Sequence, residues 1–195
     1  MNVLLLGPNR PDLVDFLQRC NDRVKNTEEK SLVDRDFLQD IEFIISYGYR
    51  HILKKELLDK FPEKAINVHI SLLPWNRGAD PNLWSFLENT QKGVTIHYLD
   101  SGIDTGKILV QQEANFSSEE TLKTSYEKLS IIAENLLKES WVDIRDGKIQ
   151  PRDQSSGGSY HRLRDRQPYE HLLTQGWDTP VRDLIGKATQ KNTYE

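Results

Sequence analysis

The sequence contains one cysteine, Cys20, and one methionine in 195 residues. A single cysteine excludes an intramolecular disulfide framework and an all-cysteine metal site, and a reducing, cytoplasmic setting is expected. Long apolar runs are missing as well. The run 3–6 near the start is too short for a signal-peptide core and far short of a membrane span, so no membrane association is expected. Positive charge is not in excess: Lys+Arg number 26 against 30 Asp+Glu, a net charge of −4. That balance lacks the electrostatic footprint of nucleic-acid binding, and no nucleic-acid partner is expected. His51, His161 and His171 have no ligand-like spacing, so no metal is expected either.

What is present is an ordinary globular composition, 36% hydrophobic and 29% charged. A chain of this size buries roughly 70% of its unfolded surface, enough for one core. Asn2-Val3-Leu4-Leu5-Leu6, closed by Gly7-Pro8, reads as a buried strand ending in a tight loop. Pro11 opens a helix-period stripe at Leu13, Phe16, Leu17 and Cys20. Phe43 to Ser46 and Ala65 to Val68 are further strand candidates, and Leu53, Leu57, Leu58 and Phe61 mark a helix between them. Asp80-Pro81 reads as an N-cap followed by proline at the first helical position. Two strand-like runs, 94–99 and 107–112, flank a glycine-containing loop. Ser117 and Glu120 form a capping-box pattern before a long stripe of Leu122, Tyr126, Leu129, Ala133, Leu136, Leu137 and Trp141. Strands alternating with helices predict an α/β fold: a Rossmann-like, doubly wound, mostly parallel sheet over residues 1–150. Residues 151–195 read as a short C-terminal tail or subdomain reached through a flexible joint at 155–159. Its aromatics Tyr160, Tyr169 and Trp177 lack a core of their own, which predicts packing in a homodimer.

Open α/β sheets bind ligands beyond the carboxyl ends of their strands. Asn67 and His69 stand at such an end, two apart and therefore on the same side of an extended segment. Asp104 lies in the loop between Ser101 and Gly106, where backbone can approach a ligand closely. An amide, an imidazole and a carboxylate suit acyl transfer to an amine. Asn67 and His69 can donate to the oxyanion, and the carboxylate can orient the imidazole and relay the amine proton. Taken singly, Asn67 and His69 are equally strand-end polar residues, Asp104 a turn former and His97 a hydrogen-bonded core histidine or a partner supporting the site.

The string Asn67-Val68-His69-Ile70-Ser71-Leu72-Leu73-Pro74, then Arg77-Gly78, then Gly93 through His97 to Asp104-Thr105-Gly106, resembles the signature of the 10-formyltetrahydrofolate-dependent formyltransferases. The likeness runs from Met1 to about Tyr160. It implies a catalytic set of Asn67, His69 and Asp104. It also implies a 10-formyltetrahydrofolate site between Ser46, Tyr47, Gly48, Tyr49 and Arg50 on one side and Leu99, Asp100, Ser101, Gly102, Ile103 and Asp104 on the other.

Residues 74–85 and 157–162 are similar to the members that formylate nucleotide-linked amino sugars for cell-surface polysaccharide. The implied partner is an amino-dideoxy sugar on dTDP, or less often GDP. Trp75, Asn76, Arg77, Gly78, His97 and Arg162 are the candidate acceptor contacts. An arginine suits a diphosphate through bidentate donation, and a tryptophan offers a flat face to a base or sugar. Members acting on methionyl-tRNA have a further barrel-like domain and a basic surface, for which this chain has neither length nor charge. Members acting on glycinamide ribonucleotide have a more regular glycine-rich loop than Gly7-Pro8-Asn9-Arg10-Pro11. Purine-pathway formylation and a non-catalytic folate- or nucleotide-sugar-binding module remain the alternatives.

Overall fold

A computed structural model of the chain describes residues 1–30 and 38–189. In chain order its elements are β1 (Asn2–Leu6), α1 (Pro11–Arg19), β2 (Arg23–Thr27), β3 (Phe43–Ser46), α2 (Lys55–Leu58), β4 (Ala65–His69) and β5 (Arg77–Gly78). They continue with α3 (Pro81–Leu87), β6 (Gly93–Tyr98), β7 (Ile108–Glu113), α4 (Leu122–Arg145) and β8 (Tyr160–His161), followed by short 3₁₀ segments. Six strands form one sheet in the order β2-β1-β3-β4-β6-β7, with β1 parallel to β2 and β3, and β3 parallel to β4. β5 and β8 make a second, two-stranded parallel sheet.

The expected α/β architecture, with its mostly parallel central sheet, is the one observed. β1 is a near-continuous apolar run because both of its faces are covered. Strand alternation sends Leu4, Leu6 and Ile44 to one face, where they pack with Leu58 and Phe61. Phe43, on the other face, meets Trp141 of α4 edge-on at 5.0 Å. Trp141 in turn donates its indole N–H to the buried Asp22 carboxylate at 2.7 Å, which Arg145 approaches at 3.3 Å.

Several elements depart from the sequence reading. β2 is an edge strand of polar residues that no apolar run announces; it is held by its ladder to β1 and by Asn26 Nδ2 donating to Leu5 O and Gly7 O at 3.0 Å. α2 is a single turn, although Leu53, Leu57, Leu58 and Phe61 all join the predicted apolar cluster. Pro62 disfavours helical backbone at Phe61, and Glu63 then takes a positive φ of 54°. Asp80 does not cap α3: its φ is 51° and its carboxylate accepts from Arg166 Nη1 at 3.1 Å instead. The long helix starts after Thr121, not at Ser117. Thr124 N–H donates to Thr121 Oγ1 at 3.2 Å, while Thr121 N–H donates to Thr124 Oγ1 at 2.9 Å, a reciprocal cap one turn later than expected. Tyr126, placed in the buried stripe by spacing, is 47% exposed.

Tertiary contacts divide the chain into two compact units. One comprises Met1–His69, Ile96–Val110 and Glu134–Asp153, the other Ile70–Thr95, Gln111–Ala133 and Gln154–Glu195. In the second unit the C-terminal residues have a core after all. Tyr169, Leu172, Leu173, Val181, Leu184 and Ala188 pack with Leu83, Trp84, Phe86 and Leu87 of α3 and with Leu122. The expected joint is docked at its end, because Ser159 N–H donates to Pro74 O at 3.3 Å and a Cβ on Gly158 would lie 2.1 Å from that same oxygen.

Candidate active site

β4 ends in Asn67-Val68-His69, and the pleat puts Asn67 and His69 on one side. β6 contributes His97, and the loop after it returns Asp104 to the same place. That loop is folded by its own atoms. Asp100 Oδ1 accepts from Gly102 N–H at 3.0 Å and from Thr105 Oγ1 at 2.6 Å. Asp104 takes a left-handed φ of 53°. At Gly106 a Cβ would sit 1.8 Å from Tyr98 O, so only glycine permits the return of the chain.

The four side chains meet around one carboxylate. Asn67 Nδ2 donates to Asp104 Oδ1 at 3.1 Å, His97 Nε2 lies 3.5 Å from the same oxygen, and His69 Nδ1 lies 3.7 Å from Oδ2. His97 Nδ1 is 2.8 Å from Tyr98 O, a carbonyl that can only accept, so Nδ1 carries a proton. In its neutral form His97 then offers the Nε2 lone pair to Asn67 Nδ2, 3.4 Å away. Both amide hydrogens of Asn67 are therefore engaged, one by Asp104 and one by His97. In this structure the Asn67 amide thus orients the Asp104 carboxylate. His97, expected at the acceptor, is 1% exposed and belongs to this cluster instead.

The folate candidates lie in the same unit. Ser46 and Tyr47 are buried, and the Arg10 guanidinium covers the Tyr47 ring at 3.6 Å from its centroid. Tyr49 and Leu99 pack against one apolar cluster, which brings residues 46–50 and the loop after β6 together. Burial also pushes the Tyr49 phenol above its ordinary pKa, keeping it neutral. Gly48 has a φ of 73° and Ile103 is 38% exposed, leaving backbone and one apolar side chain open to a ligand. Arg50 is exposed.

The remaining acceptor candidates belong to the second unit. Trp75 is 37% exposed, and Arg77 Nε donates to Gln154 Oε1 at 3.2 Å. Gly78 pairs with His161 and has no room for a Cβ, which would lie 2.2 Å from His161 O. Arg162 is exposed. Asn76 is fully buried, with its amide bound to Glu88 and Thr90, so it shapes the loop and does not face a ligand.

Sequence reasoning missed the polar group that surrounds Asn76. Glu88, at the C-terminus of α3, accepts from Ser159 Oγ at 2.6 Å and Asn76 Nδ2 at 3.0 Å, and His161 Nε2 lies 3.1 Å away. His161 stacks on Trp84 at 3.6 Å with an interplanar angle of 4°. Burial pushes the Glu88 carboxyl up, but the bonds from His161, Ser159 and Asn76 outweigh it and hold the group below its ordinary value of 4.5. No local spacing signals a group assembled from residues so far apart.

Residues 15–140 match the formyl transferase family, and the chain belongs to that family. A crystal structure of the formyltransferase PseJ from Anoxybacillus kamchatkensis, in complex with UDP-4,6-dideoxy-4-formamido-L-AltNAc and tetrahydrofolate, is 53% identical. It superposes with a TM-score of 0.93 over 96% of this chain and 100% of that one. A 4-N formyltransferase from Francisella tularensis is 22% identical with a TM-score of 0.76 over 100% of this chain and 90% of that one, and it shares the fold. Methionyl-tRNA formyltransferase from Thermodesulfovibrio yellowstonii is 35% identical over 139 residues, 68% of this chain and 45% of that protein. The chain thus spans under half the length of this curated relative. No helix among the described residues is long and apolar enough to cross a membrane.

Proposed function

We propose that the protein transfers the formyl group of 10-formyltetrahydrofolate to the amine of a nucleotide-linked amino-dideoxy sugar. The observation that carries the reading is the 53% identity, over 96% of this chain and 100% of the other, to an enzyme holding a formamido sugar nucleotide together with tetrahydrofolate. Because that sugar is carried on UDP, a UDP-linked acceptor is the first to test, with the dTDP- and GDP-linked forms beside it.

The donor supplies an activated formyl carbon, so no enzyme nucleophile is needed. Residues 46–50 and the loop after β6 fit such a donor: they offer it glycine backbone at Gly48 and the exposed apolar side chain of Ile103. Within the cluster, His69 donates to the formyl oxygen as negative charge develops there. Asn67 holds the Asp104 carboxylate and His97 holds the Asn67 amide. The carboxylate accepts the proton lost by the attacking amine, directly or through water, and that proton ends on N10 of the departing tetrahydrofolate as its bond to the formyl carbon breaks. Arg77 and Arg162 meet the diphosphate and Trp75 meets the sugar or base. We place the reaction in the cytoplasm, in a homodimer serving cell-surface polysaccharide synthesis. Tyr160, Leu163 and Trp177 are 42%, 62% and 49% exposed and supply the apolar surface for the second copy. Sedimentation as a monomer at micromolar concentration would remove the dimer from this reading.

The test is an assay of purified protein with 10-formyltetrahydrofolate and a panel of UDP-, dTDP- and GDP-amino sugars plus glycinamide ribonucleotide, read by mass spectrometry. The expected result is one formyl group added to a sugar nucleotide, abolished in His69→Ala and Asp104→Ala. Formylation of the ribonucleotide alone would overturn the acceptor assignment and leave the chemistry standing. Ligand binding with no turnover on any acceptor would indicate a binding module.

A further inference from the structure

We propose that Glu88 is a positioning residue: its carboxylate locks the loop 75–78 in one conformation and so sets affinity for the acceptor. The proposal rests on the reading above, in which Trp75 and Arg77 meet the acceptor, and it deepens that reading.

The loop is short and strained where it turns. Asn76 takes a left-handed φ of 58°, a conformation uncommon outside glycine although asparagine adopts it more readily than most, between the exposed Trp75 and the half-buried Arg77. Such a conformation persists only when its surroundings over-determine it. Here the determinants are explicit. Asn76 N–H donates to Ser159 Oγ at 3.0 Å, Thr90 Oγ1 donates to Asn76 Oδ1 at 2.8 Å, and Asn76 Nδ2 donates to Glu88 at 3.0 Å. Glu88 also fixes the second holder, since Ser159 Oγ donates to it at 2.6 Å. It reaches a third element through His161, whose backbone carbonyl accepts from Ala79 N–H at 2.9 Å just beyond the loop. One carboxylate therefore gathers the loop, the end of α3 and the residues around β8. Charge-assisted bonds of this kind are about twice as strong as neutral ones. None of these contacts involves an atom that the reaction needs, so Glu88 acts through the loop.

Two measurements on the full chain test this. The first is limited trypsinolysis, following cleavage of the Arg77–Gly78 bond relative to cleavage after the exposed Lys148, which serves as the internal standard. Glu88→Ala is expected to raise that ratio about tenfold, the scale of one lost charged hydrogen bond, with partial recovery in Glu88→Gln. General destabilisation would raise both cleavages together and leave the ratio flat, which overturns the lock. The second is steady-state kinetics with a UDP-amino sugar. KM for the sugar is expected to rise about tenfold while kcat stays within about twofold and KM for 10-formyltetrahydrofolate does not move. An unlocked loop with an unchanged sugar KM would overturn the link to affinity. If the unsubstituted protein formylates no sugar nucleotide, the functional reading fails, and the protease ratio still decides whether Glu88 holds the loop. Should Glu88→Ala not fold, Ser159→Ala removes one of the same bonds and is expected to move both readouts in the same direction by a smaller factor.

Discussion

The molecule holds two half-buried carboxylates, each surrounded by amide, hydroxyl or imidazole groups, and their surroundings differ. Asp104 faces Asn67, His97 and His69 at 3.1, 3.5 and 3.7 Å, whereas Glu88 is gripped by Ser159, Asn76 and His161 at 2.6, 3.0 and 3.1 Å. Short bonds to the charged form lower a carboxylate's basicity, which suits the anchoring part proposed for Glu88. The second difference is range along the chain. Asn67 lies 37 positions from Asp104, while Ser159 lies 71 from Glu88 and 83 from Asn76. The candidate catalytic groups come from two strands and the loop between β6 and β7, whereas the contacts of Asn76 reach a segment much farther along the chain.

Substitutions can break this contrast or sharpen it. The largest effect belongs to Asp104→Ala, expected to lower kcat by about 10³-fold or more, within the range for a lost acid–base group, with little change in Tm. A large fall in Tm with modest loss of rate would make Asp104 an anchor like Glu88. His97→Gln keeps a polar side chain but not the ring that steadies Asp104 and Asn67; kcat should fall about 10²-fold, the cost of an ångström-scale misplacement, at unchanged acceptor KM. Gly158→Ala forces a Cβ to 2.1 Å from Pro74 O at a φ of 89°. It should destabilise the protein by more than about 1 kcal/mol in urea unfolding and raise acceptor KM, leaving folate KM alone.

Acid unfolding tests the grip on the Glu88 carboxylate. The Glu88 carboxyl is held below 4.5, so the native state binds fewer protons there than the unfolded chain as pH falls. Its contribution is complete above the unfolded value and is lost as pH drops from there through the lower, folded one. Glu88→Gln should therefore lose less stability than the unsubstituted protein over that window; an identical acid profile would contradict the tight grip. The smallest effect is expected at Tyr126→Ser on the exposed side of α4, within about 0.5 kcal/mol.

Much of the first region was legible in advance. The buried strands β1, β3 and β4 announce themselves as apolar runs, and Asn67, His69 and Asp104 stand in a motif whose spacing survives folding because β-strands carry alternation faithfully. What local pattern misjudged has local causes. β2 is an edge strand whose Arg23 and Lys25 face water, and the Asp80 carboxylate is bound by Arg166, 86 positions away. The C-terminal segment likewise depends on distant residues: Tyr169, Val181 and Leu184 find their core on α3, not within their own segment.

By itself the sequence determined the class of fold, the ends of the interior strands and which residues are candidates for the reaction, since periodicity and short-range geometry are properties of the chain. Only the tertiary structure decided that His97 supports Asp104, that Asn76 is buried and that Glu88 holds the loop 75–78. Those are choices of partner among many chemically similar groups, and the partner is selected by which atoms packing brings within about 3 Å, a distance no spacing along the chain encodes.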